Sequence, residues 1–162
     1  MTKCSRIVHT VGMESLPSLQ AGQLIARGTA RHLRQHDFIC IEEFVPVTGL
    51  RVDLMALGPK SELWVIECKS SRADFMADSK WQGYLEWCDR FFWAVPPDFP
   101  TELLPPDTGL IIADAYDAEI IRPSPEVKLN AARRKKMLLK FARNAGDRLR
   151  RYVDPKPERV FL

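Results

Sequence analysis

The sequence predicts an α/β fold with a mixed central sheet, and three observations carry that expectation. Helical and strand periodicities alternate in the order αβββαβββα, an order in which helices cover the faces of a sheet. Three of the strands are joined only by turn-length connections, which makes an antiparallel meander. The apolar run Arg90–Val95 (RFFWAV) then follows a helical stretch, as a buried strand does when a crossover has carried the chain to a parallel neighbour.

Leu16 to Gln35 places apolar residues at Leu19, Leu24, Ile25, Ala26, Ala30 and Leu33 among polar ones, the spacing of an amphipathic helix, with Ser15 as its cap and Pro17 in its first turn. Phe38 to Val45 is rich in β-branched and aromatic residues and ends at Pro46; Thr48 and Gly49 supply turn chemistry. Leu50–Leu57 and Leu63–Cys68 are the second and third strands, joined through Gly58 to Glu62. Ser70 to Asp89 is expected as one polar-faced helix or a pair, with Phe75, Met76, Trp81, Tyr84, Leu85 and Cys88 at helical spacing. After the buried strand, five prolines between Pro96 and Thr108 predict a long stiff loop. Gly109–Ala113 and Ala118–Arg122 are short strands. Asn130 to Tyr152 is a long helix whose apolar side carries Leu138, Phe141, Ala142, Ala145, Leu149 and Tyr152, with its basic residues expected on the other side.

A chain of 162 residues is the size of one ordinary domain, and 46% hydrophobic with 28% charged residues excludes disordered and collagenous classes. One domain is expected over residues 1–162: a core over about 14–122, a basic helix over about 130–152 and an extended tail over 153–162. No apolar run is long enough for a membrane helix, and the N-terminal MTKCSRIVHT lacks the apolar core of a signal peptide. A cytosolic protein is expected. Cys4, Cys40, Cys68 and Cys88 are widely spaced and read as reduced thiols. His9, His32 and His36 lack metal-ligand spacing, and Trp64, Trp81, Trp87 and Trp93 read as core aromatics. The net charge of +3 is unevenly divided: residues from Glu126 onward carry +8 and residues 1–125 carry −5. Such a division suits a protein that meets a polyanion with one surface while keeping carboxylates at another.

The carboxylates have an address. Glu67 and Lys69 are two apart in the third strand and share a face, while Ile66 and Cys68 take the other. Asp53 is a lone acid in the apolar run Val52–Leu57. If Pro59, Lys60 and Ser61 close the hairpin, Gly58 faces Glu62, and counting outward sets Asp53 opposite Glu67. Directly opposed like charges destabilise a sheet, and two close carboxylates do not both ionise cheaply without a cation. Lys69 compensates in part; a divalent metal compensates more. Asp53, Glu67 and the Cys68 backbone carbonyl, completed by water, make the hard oxygen ligation that Mg²⁺ accepts, with Mn²⁺ as its substitute. With a loop of Val47, Thr48 and Gly49 in the first hairpin, Glu43 in turn pairs with Asp53. The plainer alternative is a cross-strand ion pair on a solvated sheet face, which needs no metal.

Asp53 followed after 13 residues by Glu67-Cys68-Lys69, at the end of an apolar strand that leads into a helix, resembles the PD-(D/E)XK nuclease superfamily. The resemblance implies a restriction-endonuclease-like αβββαβ core and Mg²⁺-dependent cleavage of nucleic acid, here extended by extra strands and a basic C-terminal helix. Over about residues 14–152, and particularly through ECKSSRADFMADSKWQGYLEWCDRFFWAVPPDFP and GLIIADAYDAEIIR, the chain is similar to bacterial MmcB-like DNA repair proteins. Asp53 and Glu67 would be the metal ligands and Lys69 the catalytic lysine, positioning or helping to deprotonate water. Gln82 and Tyr84 stand near the place of a Gln-x-x-x-Tyr element, at the different spacing Gln-x-Tyr. Val52 stands where proline often precedes the first acid, and the first helix offers no acid of its own, so Glu43 is the substitute.

The expectation is therefore a Mg²⁺-dependent DNA endonuclease or nuclease-like protein of DNA repair, with other repair proteins or a second copy among its partners. The alternatives are a DNA-binding or scaffolding module without turnover, and a phosphodiesterase of RNA or nucleotides. Arg133, Lys136, Lys140 and Arg143 recur at three and four residues and form one stripe suited to a DNA backbone. No exposed apolar stripe argues for a dimer.

Overall fold

The computed structural model describes residues 19–155. Its centre is a six-stranded sheet whose strands lie side by side in chain order. They are β1 Ile39–Val47, β2 Leu50–Leu57, β3 Leu63–Cys68, β4 Arg90–Val95, β5 Gly109–Ala113 and β6 Ala118–Arg122. Pairing is antiparallel for β1/β2 and β2/β3, parallel for β3/β4 and β4/β5, and antiparallel again for β5/β6. The meander and the parallel crossover thus form as the sequence predicts. The proline-rich connection from Pro96 to Thr108 holds one short 3-10 turn, Thr101–Leu103, and is long enough to join two parallel neighbours.

Helix α1, Ala21–Gln35, covers one face. Its buried Ile25, Ala26 and Leu33 meet Leu54, Ala56, Ile66, Phe92 and Ile111, so Ile66 and Cys68 do point to this side. The helix is shorter than expected: Gln20 caps it, its backbone N–H donating to the Gln23 side chain at 2.8 Å. Leu16, Ser15 and Pro17 lie outside the described residues. Gly28 sits where a Cβ would stand 2.0 Å from the carbonyl oxygen of Asp114. Only glycine permits α1 to approach the β5–β6 turn so closely.

The opposite face packs Ile41, Val52, Met55, Leu63, Val65, Phe91, Trp93 and Val95 beneath Tyr84, Phe99, Met137 and Phe141. The expected helix over Ser70–Asp89 is broken in two. Helix α2 covers only Arg72–Met76, capped by Ser71, and a 3-10 helix runs from Trp81 to Trp87. Aromatic packing explains the break: Phe75 and Trp81 both set rings against Trp93, at 5.2 and 5.6 Å between centroids. The chain turns between them at Asp78, whose carboxylate accepts the Lys80 N–H at 2.9 Å.

Helix α3, Ala131–Val153, corrects the expected division of its faces. Met137 and Phe141 are buried, whereas Leu149 and Tyr152 are exposed. Basic residues flank the docked side: Lys140 donates to the Pro46 carbonyl at 3.0 Å, Arg148 to the Glu42 carbonyl at 2.5 Å and Arg133 to the Glu86 carbonyl at 2.7 Å. Few apolar residues face the body, so long cations reaching carbonyls complete the docking. Leu139, Leu149, Tyr152 and Val153 leave an exposed apolar surface that the sequence did not suggest.

Asp89, only 3% exposed, ties β3, β4 and the approach to α3 together. Its carboxylate accepts the Leu63 N–H at 2.7 Å, the Leu129 N–H at 2.9 Å and a two-pronged Arg134 guanidinium at 2.8 and 2.6 Å. Burial alone would push Asp89 up, but Arg134 and the two N–H donors outweigh it and hold the carboxyl below its ordinary value. Among the described residues no helix is long and apolar enough to cross a membrane. Cys40, Cys68 and Cys88 are unpaired thiols; burial pushes Cys40 and Cys88 up to about 12, so neither is a nucleophile at neutral pH. Cys4, His9 and the end of the tail, residues 156–162, lie outside the described residues.

Candidate active site

The β2–β3 hairpin closes as counted: Gly58 N–H donates to the Glu62 carbonyl at 2.9 Å, with Pro59, Lys60 and Ser61 between them. Pairing proceeds from Leu57↔Leu63 to Leu54↔Ile66. One step further the ladder ends, and two side chains replace it. Glu67 Oε1 accepts the Asp53 N–H at 3.2 Å, and Asp53 Oδ2 accepts the Cys68 N–H at 2.8 Å. The acids thus occupy a fork where β2 and β3 part, each satisfying a backbone donor of the opposite strand.

The fork is costly for charge. Burial, and then the facing Asp53, push Glu67 up to about 8, and Glu67 itself is 3% exposed. Burial likewise raises Asp53, against the pull of its bond from Cys68 and of nearby Lys69. Two like charges at one buried place favour a shared proton or a bound cation. Lys69 approaches from β3: its ammonium lies 3.8 Å from Glu67 Oε2 but 2.7 Å from Asp78 Oδ2, above the Trp93 ring. Burial would lower its affinity for a proton; the Asp78 hydrogen bond and the charges of Glu67, Asp78 and Asp53 outweigh that and raise it. Lys69 is therefore a fixed cation at neutral pH.

Two adjoining hollows open onto this fork, sharing Arg51, Asp53, Lys69 and Asp74. The first adds Gln20, the cap of α1, and Gln23 within it, with Glu43 and Ser70; the second adds Glu67, Asp78, Lys80 and Tyr84. Glu43 reaches its place by an irregular route. Val47 pairs with Leu50 across a two-residue turn, not the expected three, and the register slips between Phe44 and Val47 so that Phe44 again faces Val52. That slip restores the count that sets Glu43 beside Asp53. Glu43 itself takes a left-handed backbone (φ 53) and pairs with Arg51 at 2.8 Å, so the substitute acid is already engaged. Tyr84 lines the second hollow and donates to the Arg51 carbonyl at 3.2 Å; burial and then the charges of Glu67, Asp78 and Asp53 push its hydroxyl up to about 12. Gln82 is exposed and lines neither hollow. The 3-10 winding that turns Tyr84 inward leaves Gln82 facing out.

Asp78 is the functional candidate that sequence reasoning missed. Its only signal was an acid in a polar helix, and its meaning depends on the break that brings it back over Lys69. Asp74, which accepts the Ser70 N–H at 2.9 Å and lines both hollows, was missed for the same reason. Arg133, Lys136, Lys140 and Arg143 do not reach this cleft. Arg133 and Lys136 stack over Trp87, at 4.9 and 5.7 Å from the ring centre. Among the described residues no three His, Cys, Asp or Glu gather about one point. A cation at the fork would therefore take two carboxylates and complete its shell with other oxygens.

Residues 14–156 match the family described as DNA repair protein MmcB-like. The chain belongs to the MmcB-like family. A solved structure, the SPO1766 protein of unknown function from Silicibacter pomeroyi, shares 65% identity and a TM-score of 0.85, over 90% of this chain and 99% of that one. No curated protein matches the chain. The MmcB-like match spans the fork, both hollows, α1 and the whole of α3, so all the geometry above lies within the part that defines membership. The family's name points to a role in DNA repair.

Proposed function

We propose that this MmcB-like protein is a nuclease-like DNA repair protein of PD-(D/E)XK type whose Asp53–Glu67 fork hydrolyses phosphodiester bonds in DNA with Mg²⁺, or Mn²⁺ in its place. The observation that carries the reading is the pair of acids at the end of the β2–β3 ladder, Glu67 buried and Asp53 half-buried, with the Lys69 ammonium beside them. A carboxylate pair held in low dielectric against its own repulsion is stabilised by a cation. Asp53 and Glu67 each keep one oxygen free of the backbone bonds described, and Mg²⁺ characteristically takes one or two carboxylates together with water and substrate phosphate. The donor set therefore fits, with the Cys68 carbonyl as a further ligand. Such a metal lowers the pKa of bound water and neutralises charge on the phosphate.

The chain's own residues supply the rest. Asp53 and Glu67 fix the ligand oxygens, because each is anchored through its other oxygen to the opposite strand. Lys69, held as an ammonium by Asp78, orients the attacking water and stabilises negative charge on the phosphoryl oxygens.

Plasmid, branched, flapped and single-stranded DNA, and RNA, incubated with and without Mg²⁺ or Mn²⁺ test the reading, with binding measured separately in Ca²⁺. Metal-dependent DNA cleavage that is lost in Glu67→Ala and Lys69→Ala is expected. Binding without cleavage of any substrate would instead identify a DNA-binding or scaffolding module, and cleavage confined to RNA a ribonuclease.

A further inference from the structure

Helix α1 carries Arg27, Arg31 and Arg34 and not one Asp or Glu. The three fall within about 60° of one another around a helix of 3.6 residues per turn, on the side away from Ile25, Ala26 and Leu33, and all three are exposed. Among the described residues none of them forms an ion pair. The contrast with α3 is direct: there Arg133, Arg134, Lys140 and Arg148 are occupied by carbonyls or by Asp89, whereas the cations of α1 are unspent.

The three arginines form one wall of a groove of about 550 Å³ whose other wall is the start of β1, through Phe38, Ile39, Cys40 and Glu42. Strand β1 is an edge of the sheet, and Ile39 is 63% exposed. Glu42 lines both the groove and the hollow that holds Asp53, and Ala26, the neighbour of Arg27, lines that hollow too. The arginine-lined groove thus adjoins the hollow that holds Asp53, with Glu42 at their boundary. From Arg27 to Arg34 the helix advances about 10 Å, the axial length of about three phosphates on one DNA strand.

We infer that Arg27, Arg31 and Arg34, with the β1 edge opposite them, form the track along which the phosphate backbone of DNA reaches the Asp53–Glu67 fork. This rests on the reading that the fork acts on DNA. The guanidinium is suited to the task, because it stays charged and presents a planar fork of donors to phosphate oxygens. The track positions a strand without reading its sequence. It also transfers the role of DNA contact from the α3 stripe to α1.

The test uses the full chain carrying Arg27→Gln, Arg31→Gln and Arg34→Gln together, a change confined to exposed side chains, with retention of fold checked by circular dichroism. Binding to a labelled duplex and a labelled single strand is followed by anisotropy in Ca²⁺ over a salt series. Removing one arginine–phosphate pairing flattens the dependence of log K on log salt by about 0.9 for duplex, so a slope smaller by about 2 to 3 and binding weakened at least about tenfold are expected. The comparison variant Arg143→Gln, Arg150→Gln, Arg151→Gln removes the same charge from α3 and is expected to keep the wild-type slope. An unchanged slope in the α1 variant, or a flattened slope in the α3 variant instead, overturns the track. Wild-type cleavage of DNA, abolished by Glu67→Ala, separates the two readings: if cleavage holds while the α1 variant binds normally, only the track fails. If the wild type neither binds nor cuts DNA, the track falls together with the proposed function.

Discussion

Lys69 Nζ lies 2.7 Å from Asp78 Oδ2 and 3.8 Å from Glu67 Oε2, so the lysine of the fork is held more closely by Asp78 than by the acid it serves. Asp78 stands in the turn between α2 and the 3-10 helix, not on the sheet, and its position depends on the aromatic packing of Phe75 and Trp81. Asp78→Asn keeps the shape and removes the charge. Metal-dependent DNA cleavage should fall by about 10- to 100-fold, the usual loss when an outer partner of a functional group is removed. DNA affinity in Ca²⁺ should stay as in the wild type. A variant that cleaves at the full rate would show that Lys69 needs no such anchor.

The burial of Glu67, and then its repulsion by Asp53, predict an unusual pH dependence of stability in the metal-free protein. Glu67 is raised to about 8 when folded, against 4.5 as its ordinary value. Between those values the native state holds a proton that the unfolded chain has released, so stability falls as pH rises, by up to about 1.4 kcal/mol per pH unit for one such group. Glu67→Gln has no proton to lose there. Thermal unfolding in EDTA should therefore show the wild type losing Tm from pH 5 to pH 8 relative to the variant. Added Mg²⁺ should restore Tm at pH 8 in the wild type alone. Parallel pH profiles for the two proteins would count against a strained acid pair.

Asp89 behaves in the opposite sense. Its folded carboxyl lies below the ordinary 3.8, so its stabilising bonds are fully present above that value and are lost as pH falls through the depressed one. Asp89→Asn leaves Arg134 without its carboxylate and should cost about 3 kcal/mol at pH 7 by urea denaturation. The gap between wild type and variant should be constant from pH 5 to pH 8 and close below about pH 4.

Gly28→Ala brings a methyl group against the Asp114 carbonyl at 2.0 Å, where backbone and not a movable side chain must yield. A loss of about 2–3 kcal/mol is expected from such overpacking. Because α1 also lines the first hollow, cleavage should decline with it. An alanine variant of wild-type stability would mean that α1 can lift from the β5–β6 turn at no cost.

Removing the α3 contacts with Lys140→Gln and Arg148→Gln should lower stability and leave the salt dependence of DNA binding unchanged. Both side chains end on carbonyls of β1, at Pro46 and Glu42, and so act as docking groups. A flatter salt dependence with unchanged stability would return the DNA contact to α3.

The acid pair was legible because a hairpin is arithmetic: once Gly58 faces Glu62, residue numbers add to a constant and Asp53 must meet Glu67. Glu43 was legible for a cancelling reason, since a shorter turn than expected was offset by the slip between Phe44 and Val47. The α2 break was not legible. Phe75, Trp81 and Tyr84 satisfy a helical period, and only the position of Trp93 on a distant strand decides that they pack as two separate pieces. The faces of α3 were misjudged because periodicity counts apolar residues, while this helix docks largely through Lys140, Arg148 and Arg134. The value of the α1 arginines was hidden for the converse reason: three cations in a helix stand out only when Arg133, Arg134, Lys140 and Arg148 of α3 are found to be in use.

Helix α1 touches all six strands, from β1 to β6. It is the earliest described element in the chain, yet the platform on which it rests is complete only after β6, nearly ninety residues later by number, has been laid down. Pairing between sequential neighbours lets the sheet grow outward in order of synthesis, whereas the seating of α1 must await closure over a long separation. The wall that carries the arginines and half of the cleft thus depends on the far edge of the sheet for its seat. On refolding, competence to act on DNA should therefore return no earlier than β6 joins the sheet.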